Sequence, residues 1–248
     1  MSLGDLEGLV LGPDDALFLD FDGTLAELGP DPDAIWLPEP TWRDLEALAR
    51  RLGGALAVIS GRDVRDLARR VPDGLWRGGT HGLEVVPPGM KPPSPPSPPP
   101  ETLLAPLRAA AERPGVWLEL KGPVAALHYR AAPEAETACV DAAMTAARAL
   151  AGHIVQAGKM VVEVKPDAAH KGRALRQMMS GPPFAARRPV MLGDDATDED
   201  AMGEAMALGG SAVKVGSGES VTTLRASDPS AIRSWLAREA VRDQTTVR

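Results

Sequence analysis

The sequence predicts an α/β fold: a doubly wound parallel sheet core with an α+β module inserted in its middle. Near the start, short apolar runs alternate with helical patterns, the signature of a parallel sheet covered on both faces. The same alternation resumes from Lys171, and between the two stretches the order changes to helix-strand-strand, twice over. The core is therefore expected from 1–84 and 167–248, and the insert from 85–166.

Residues 16–19 form an apolar run that ends abruptly in Asp20-Phe21-Asp22-Gly23-Thr24, which reads as a buried strand entering a loop. Thr41-Trp42-Arg43-Asp44 resembles a capping box, and the helix it opens puts Leu45, Leu48 and Leu52 on one face before stopping at Gly53-Gly54. A second apolar strand, 55–59, runs into Ser60-Gly61-Arg62-Asp63, and a short helix with Val64, Leu67 and Val71 follows. The segment 87–100 holds nine prolines and is expected as a stiff polyproline connector. Beyond it, 101–113 and 133–151 read as helices, while 116–121, 124–130, 153–157 and 159–165 read as strands. They suggest a four-stranded antiparallel sheet with two helices on one face. From Lys171 come a helix with Leu175, Met178 and Met179, the strand Val190-Met191-Leu192, and a helix over 199–207 opened by a box of Thr197 and Asp200. A strand over 212–215 and a helix over 230–241 complete the chain.

The composition excludes several classes. Hydrophobic residues at 44% and charged residues at 25% are ordinary for a soluble globular protein. Aromatics are only 4%, so the core must be built from Ala, Val and Leu. A net charge of -7 and a pI of about 5.2 speak against non-specific nucleic-acid binding. An anionic substrate would then need locally concentrated positive charge. The single cysteine, Cys139, excludes an intrachain disulfide and fits a reducing cytoplasm. Its alanine-rich helical setting makes it a core residue instead of a nucleophile. No stretch approaches the ~20 apolar residues of a membrane span. Residues 1–15, with acids and glycines, are not expected to be a secretory signal.

Four places carry chemistry. Asp20 and Asp22 sit where a buried strand meets a loop, and desolvating two carboxylates makes sense where a cation sits. Asp194 and Asp195 repeat the pattern after a later apolar strand, with Asp198, Glu199 and Asp200 placed to favour a helix start. Oxygen donors, few histidines and no cysteine cluster point to Mg²⁺ over zinc. Ser60, Gly61 and Arg62 offer a hydroxyl and backbone N–H groups at a helix start, a natural phosphate seat. Lys171 is a cation at a helix N-terminus, where the dipole disfavours it unless an anion is present.

In this order the four motifs resemble those of the haloacid dehalogenase superfamily, from Leu17 to about Val215. The resemblance implies a haloacid dehalogenase-like core. It also implies Asp20 as the nucleophile that takes the phosphoryl group and Asp22 as the general acid, then base. Ser60 and Lys171 would hold phosphoryl oxygens. Mg²⁺ would be bound by Asp20, the backbone carbonyl of Asp22 and Asp194, with Asp195 or Asp198 nearby.

Strand alternation places Trp117, Glu119 and Lys121 on one face of the inserted sheet, His128 with Arg130, and Lys159 with Val161, Glu163 and Lys165. Such a face can close over a catalytic pocket and exclude water. Gly79-Thr80-His81-Gly82, Glu119-Leu120-Lys121, His128-Tyr129-Arg130, Gly158-Lys159 and Glu163-Val164-Lys165-Pro166, with Gly193-Asp194-Asp195-Ala196-Thr197-Asp198-Glu199-Asp200, resemble the trehalose-6-phosphate phosphatases. That resemblance implies a cap between the second and third core motifs. It makes Glu119, Lys121, Arg130, Lys159, Glu163 and Lys165 sugar contacts, and puts His81 at the cap–core junction. The proline tract 87–100 departs from the family's pattern. The expected partner is a small sugar phosphate, with no nucleic acid and no membrane, bound by a cytoplasmic monomer. Other sugar phosphates, such as glucosyl- or mannosyl-phosphoglycerate, remain alternatives, as do a phosphomutase and a non-catalytic sugar-phosphate sensor.

Overall fold

The computed structural model describes residues 4–158 and 160–242. The chain divides into two compact units: Pro93–Ala169 forms one, and the stretches before and after it form the other.

The first unit begins with β1 (Asp15–Leu19), α1 (Glu39–Arg51), β2 (Leu56–Ile59), α2 (Val64–Arg70), β3 (Trp76–Gly79) and β4 (Glu84–Val86). Every residue of β1 and β2 is buried, as expected of strands covered on both faces. The capping box expected at Thr41 is not formed. Helix α1 starts earlier, at Glu39, behind Pro38 and with Pro40 in its first turn, and Thr41 lies buried inside it. Proline suits the first turn because its missing N–H would have no helical partner there. Gly53 and Gly54, both at positive φ, end the helix as expected.

The second unit contains α3 (Glu101–Ala111), β5 (Trp117–Lys121), β6 (Val124–His128), α4 (Glu136–Ala149), β7 (His153–Gly158) and β8 (Val161–Pro166). Its antiparallel sheet has the order β5-β6-β8-β7. One face, with Ala125, Leu127, Val162 and Val164, packs on Leu103, Leu107, Cys139 and Ala143 of the two helices. Cys139 is fully buried there, as a core residue should be. Residues 91–100 form neither helix nor strand, which the prolines enforce.

The chain then returns to the first unit with α5 (Lys171–Met179), β9 (Arg188–Gly193), α6 (Ala196–Ala207), β10 (Ser211–Val215), β11 (Arg225–Ala226) and α7 (Pro229–Ala240). The complete sheet has the order β11-β10-β9-β1-β2-β3-β4 and is parallel except for β4. The predicted fold class is borne out. The box expected from Thr197 and Asp200 is instead formed two residues earlier, by Asp195 and Asp198. The sequence reading missed β3, β4 and β11. Strand β3 reads Trp-Arg-Gly-Gly, and its buried Arg77 is paid for by Asp73 and the carbonyls of Pro87 and Met90.

Trp235 of α7 is fully buried in the core, and its Nε1 donates to the Leu9 carbonyl at 2.9 Å. Replacing Trp235 with Ala is expected to cost about 3–5 kcal/mol of stability. Denaturant unfolding of the two proteins checks this.

Candidate active site

Strands β9, β1 and β2 are neighbours, with Leu19 opposite both Leu192 and Val58. Asp20 follows β1, Ser60 follows β2, and Asp194 follows β9. The winding direction reverses between β1 and β9, and open α/β sheets bind ligands beyond the carboxyl ends of strands at such a point.

Asp20 and Lys171 are only 3% and 2% exposed, and Asp198 is fully buried. Lys171 Nζ donates to Asp20 Oδ1 at 2.7 Å and to Asp198 Oδ1 at 2.8 Å. The other oxygen of Asp198 accepts the backbone N–H groups of Asp194 and Asp195, both at 3.1 Å. Asp20, Asp194 and Asp198 each offer an oxygen within 4.8 Å of the others. Gly23 makes room for this cluster. It sits at φ +81°, and a Cβ there would lie 2.2 Å from Asp194 Oδ2.

Asp195 and Asp22 stand apart from the three. Asp195 Oδ1 caps α6, accepting the N–H groups of Thr197 and Asp198 and the Thr197 hydroxyl. Asp22 is held by Arg62, whose Nε and Nη2 donate to its two oxygens at 2.7 and 2.6 Å. Arg62 also donates to Asp66 Oδ2 at 2.9 Å and to the Pro32 carbonyl at 3.0 Å. Its guanidinium, read from the sequence as part of a phosphate seat, is thus committed to protein oxygens. Ser60 is buried, and its Oγ accepts the Arg62 N–H at 3.1 Å. The imidazole of buried His81 packs on Gly61, where an added Cβ would lie 3.0 Å from its Cε1.

Two residues of this site escaped the sequence reading. Lys214 Nζ donates to the Asp194 carbonyl at 2.7 Å and lies 3.1 Å from Glu199 Oε1. A lysine inside the apolar strand Ser-Ala-Val-Lys-Val was the available signal, since a buried ammonium needs partners. Asp66 stands one helical turn from Arg62, a spacing that suggests a pair without showing what else Arg62 holds.

In the second unit, the register sets Trp117, Glu119 and Lys121 on the same sheet face as His128, Glu163 and Lys165. Lys121 Nζ lies 3.1 Å from Glu119 and 3.8 Å from Glu163. Burial opposes the charge on Glu119, but hydrogen bonds from His128 and Lys121 hold its carboxyl below the usual range. Lys165 is buried. Arg130 does not share the strand face as expected: β6 stops at His128, and Arg130 lies exposed in the turn beyond it. Lys159 lies outside the described residues.

The sequence model of one family, Trehalose-phosphatase, matches residues 18–230. The chain belongs to the trehalose-phosphatase family. It is 38% identical over 235 residues to the trehalose-6-phosphate phosphatase of Escherichia coli strain K12, covering 89% of this chain and 85% of that relative. It is 40% identical over 207 residues to a probable trehalose-phosphate phosphatase of Sinorhizobium fredii, covering 81% of this chain and 77% of that one. The solved C-terminal domain of the C. albicans trehalose-6-phosphate phosphatase matches with a TM-score of 0.77 over 96% of this chain and 94% of that one. At 22% identity that likeness speaks for the fold. The resemblance read from the motifs is therefore borne out.

The electrostatics of this trehalose-phosphatase site call for a cation. Burial pushes Asp20 up to about 7; Lys171 opposes the shift, while Asp195 and Asp194 add to it. Burial likewise pushes Asp194 up to about 7, helped by Asp198 and Asp195. Burial alone would lower Lys171, yet Asp198, Asp20 and Asp195 outweigh it and hold the ammonium well above the usual lysine range. Asp195 also goes against its burial: Lys171 and the hydrogen bonds from Thr197 and Asp198 keep it below the usual range. Lys171 thus faces four carboxylates, while Lys214 is committed to the Asp194 carbonyl and Glu199, and an oxygen-only donor set in that condition fits a divalent metal ion.

Two predictions follow from this geometry. Gly23→Ala, which pushes Asp194 aside, should lower kcat/KM by roughly 100-fold, since a displacement of about 1 Å near the chemistry costs that much. Steady-state kinetics on the folded variant measures it. The second concerns pH. In the metal-free fold Asp20 and Asp194 release their protons near pH 7, whereas unfolded they do so near the ordinary carboxylate value of 3.8. The folded state therefore binds more protons across that window, and stability falls as pH rises through it. A hard divalent cation replaces those protons, so its addition should raise the melting temperature more at pH 8 than at pH 5.

Proposed function

We propose that this protein hydrolyses trehalose-6-phosphate to trehalose and phosphate through a phosphorylated Asp20, with Mg²⁺ as its cofactor. The family makes it a phosphoric monoester hydrolase, and relatives over most of its length are named for trehalose-6-phosphate. The observation that carries the chemistry is the buried Asp20–Lys171 pair at the carboxyl end of β1.

Mg²⁺ would be held by Asp20, Asp194 and the backbone carbonyl of Asp22, with Asp198 and Asp195 fixing the surrounding backbone and lysine. When bound, it neutralises charge on the phosphoryl oxygens and lets a carboxylate approach them. A carboxylate oxygen of Asp20 attacks phosphorus, the bond to the sugar oxygen breaks, and Asp22 gives that oxygen a proton. Asp22 then takes a proton from water as the water oxygen attacks phosphorus, breaking the bond to Asp20 and freeing phosphate. Covalent catalysis thus divides one very slow displacement into two.

Lys171 keeps Asp20 oriented and offsets the negative charge that spreads over the equatorial oxygens. Ser60 Oγ and the Gly61 N–H seat those oxygens. Arg62 aims Asp22, a role its two hydrogen bonds support better than phosphate binding. The first unit carries this chemistry. The insert, Pro93–Ala169, selects the sugar through Glu119, Lys121, Glu163 and Lys165, joined by Arg130 and Lys159.

Phosphate release from a panel of sugar phosphates, with and without Mg²⁺, tests the reading. Trehalose-6-phosphate should be preferred and Mg²⁺ required. Asp20→Ala should lower kcat by at least roughly 10⁴-fold, as loss of a nucleophile does. Preference for glucosyl-phosphoglycerate would move the substrate assignment, and undiminished turnover by Asp20→Ala would end the mechanism.

A further inference from the structure

The face of the second unit's sheet away from its helices carries an exposed indole that neither the motifs nor the mechanism uses. Trp117 opens the edge strand β5 and is 53% exposed. It stands opposite His128 on β6, and the two rings stack with centroids 4.0 Å apart and planes 7° from parallel. The imidazole is fixed in turn, because His128 Nε2 lies 2.9 Å from Glu119 Oε2. Strand alternation sets Glu119 and Lys121 on the same face as Trp117.

An exposed tryptophan by itself needs no explanation. Here it is held flat by a ring that a carboxylate holds, beside a carboxylate and an ammonium. A phosphate group has no use for an indole. A pyranose ring has two kinds of surface: a face of C–H groups and a rim of hydroxyls. The first calls for a flat apolar platform, the second for acceptors and donors at its border. Trp117 supplies the platform, and Glu119 and Lys121 supply the border. A rigid aromatic contact also loses little conformational freedom on binding.

We propose that Trp117, stacked on His128, is a specificity-determining residue whose indole takes the C–H face of a pyranose ring of the substrate, while Glu119 and Lys121 meet its hydroxyls. This rests on the sugar-phosphate reading given above. It differs from the polar contacts implied by the family motifs, because it assigns sugar selection to an aromatic residue outside them.

Kinetics of the full-length enzyme with Mg²⁺ test it. Trp117→Ala should raise KM for trehalose-6-phosphate about tenfold, the loss expected for one aromatic contact. Its kcat should stay unchanged, and Trp117→Phe should recover most of the affinity. Acetyl phosphate, a ringless phosphoryl donor to Asp20, should be hydrolysed alike by all three proteins. An unchanged KM in Trp117→Ala would overturn the proposal, and so would equal losses on both substrates, which would mark a structural role. If the wild type leaves trehalose-6-phosphate intact but hydrolyses another sugar phosphate, the substrate reading fails alone. The same KM comparison on that sugar then decides the platform.

Discussion

Lys171 donates to Asp20 and Asp198 in a place that solvent scarcely reaches, and this buried triad constrains everything around it. Two carboxylates and an ammonium stripped of water are stable only as a set; removing one partner from such a pair costs about 3–5 kcal/mol. Each member is therefore anchored by rigid structure. Asp20 hangs from the central strand, Lys171 opens α5, and Asp198 sits in the first turn of α6 with its second oxygen on two backbone N–H groups. The same arrangement leaves Asp194 beside Asp20, where burial and neighbouring carboxylates outweigh Lys171 and Lys214, a condition that fits a divalent metal ion.

Outward from the triad, charge is passed along the helix that follows β2. Arg70, itself buried, grips Asp66 with two nitrogens; Asp66 holds Arg62; Arg62 holds both oxygens of Asp22. Asp66 sits well below the usual carboxylate range, at about 2, because hydrogen bonds from Arg70 and Arg62 outweigh the effect of its burial. The Asp22 carboxylate, in a loop, thus takes its orientation from a helix, and helices hold position better than loops do.

Much of this was legible in the sequence because strand ends announce themselves. Apolar runs that stop at Asp20, Ser60 and Asp194 mark the carboxyl edge of a parallel sheet, and the sheet supplies the proximity. Side-chain commitments were less visible. Asp195 reads as a possible ligand, yet it spends an oxygen on the helix start, and nothing in the residue order says which of two adjacent acids will cap. Arg62 reads as an anion binder until the carboxylate opposite it is known. The strands β3 and β11 were hidden because one is half glycine and the other is two residues long. Arg130 misled for a local reason: the alternating pattern continues past the point where β6 turns away.

The interruption of the first unit has a consequence for how the chain acquires its structure. Strand β1 needs β2 on one side and β9 on the other, and the whole of Pro93–Ala169 is made between them. During synthesis the inserted unit is complete and contiguous while β1 still lacks a neighbour. Its nucleus closes short loops; the seven-stranded sheet must close a long one, which slows its formation. Asp20 therefore waits for Lys171 until the last third of the polypeptide has emerged, and the buried triad is assembled only when the inserted unit already exists.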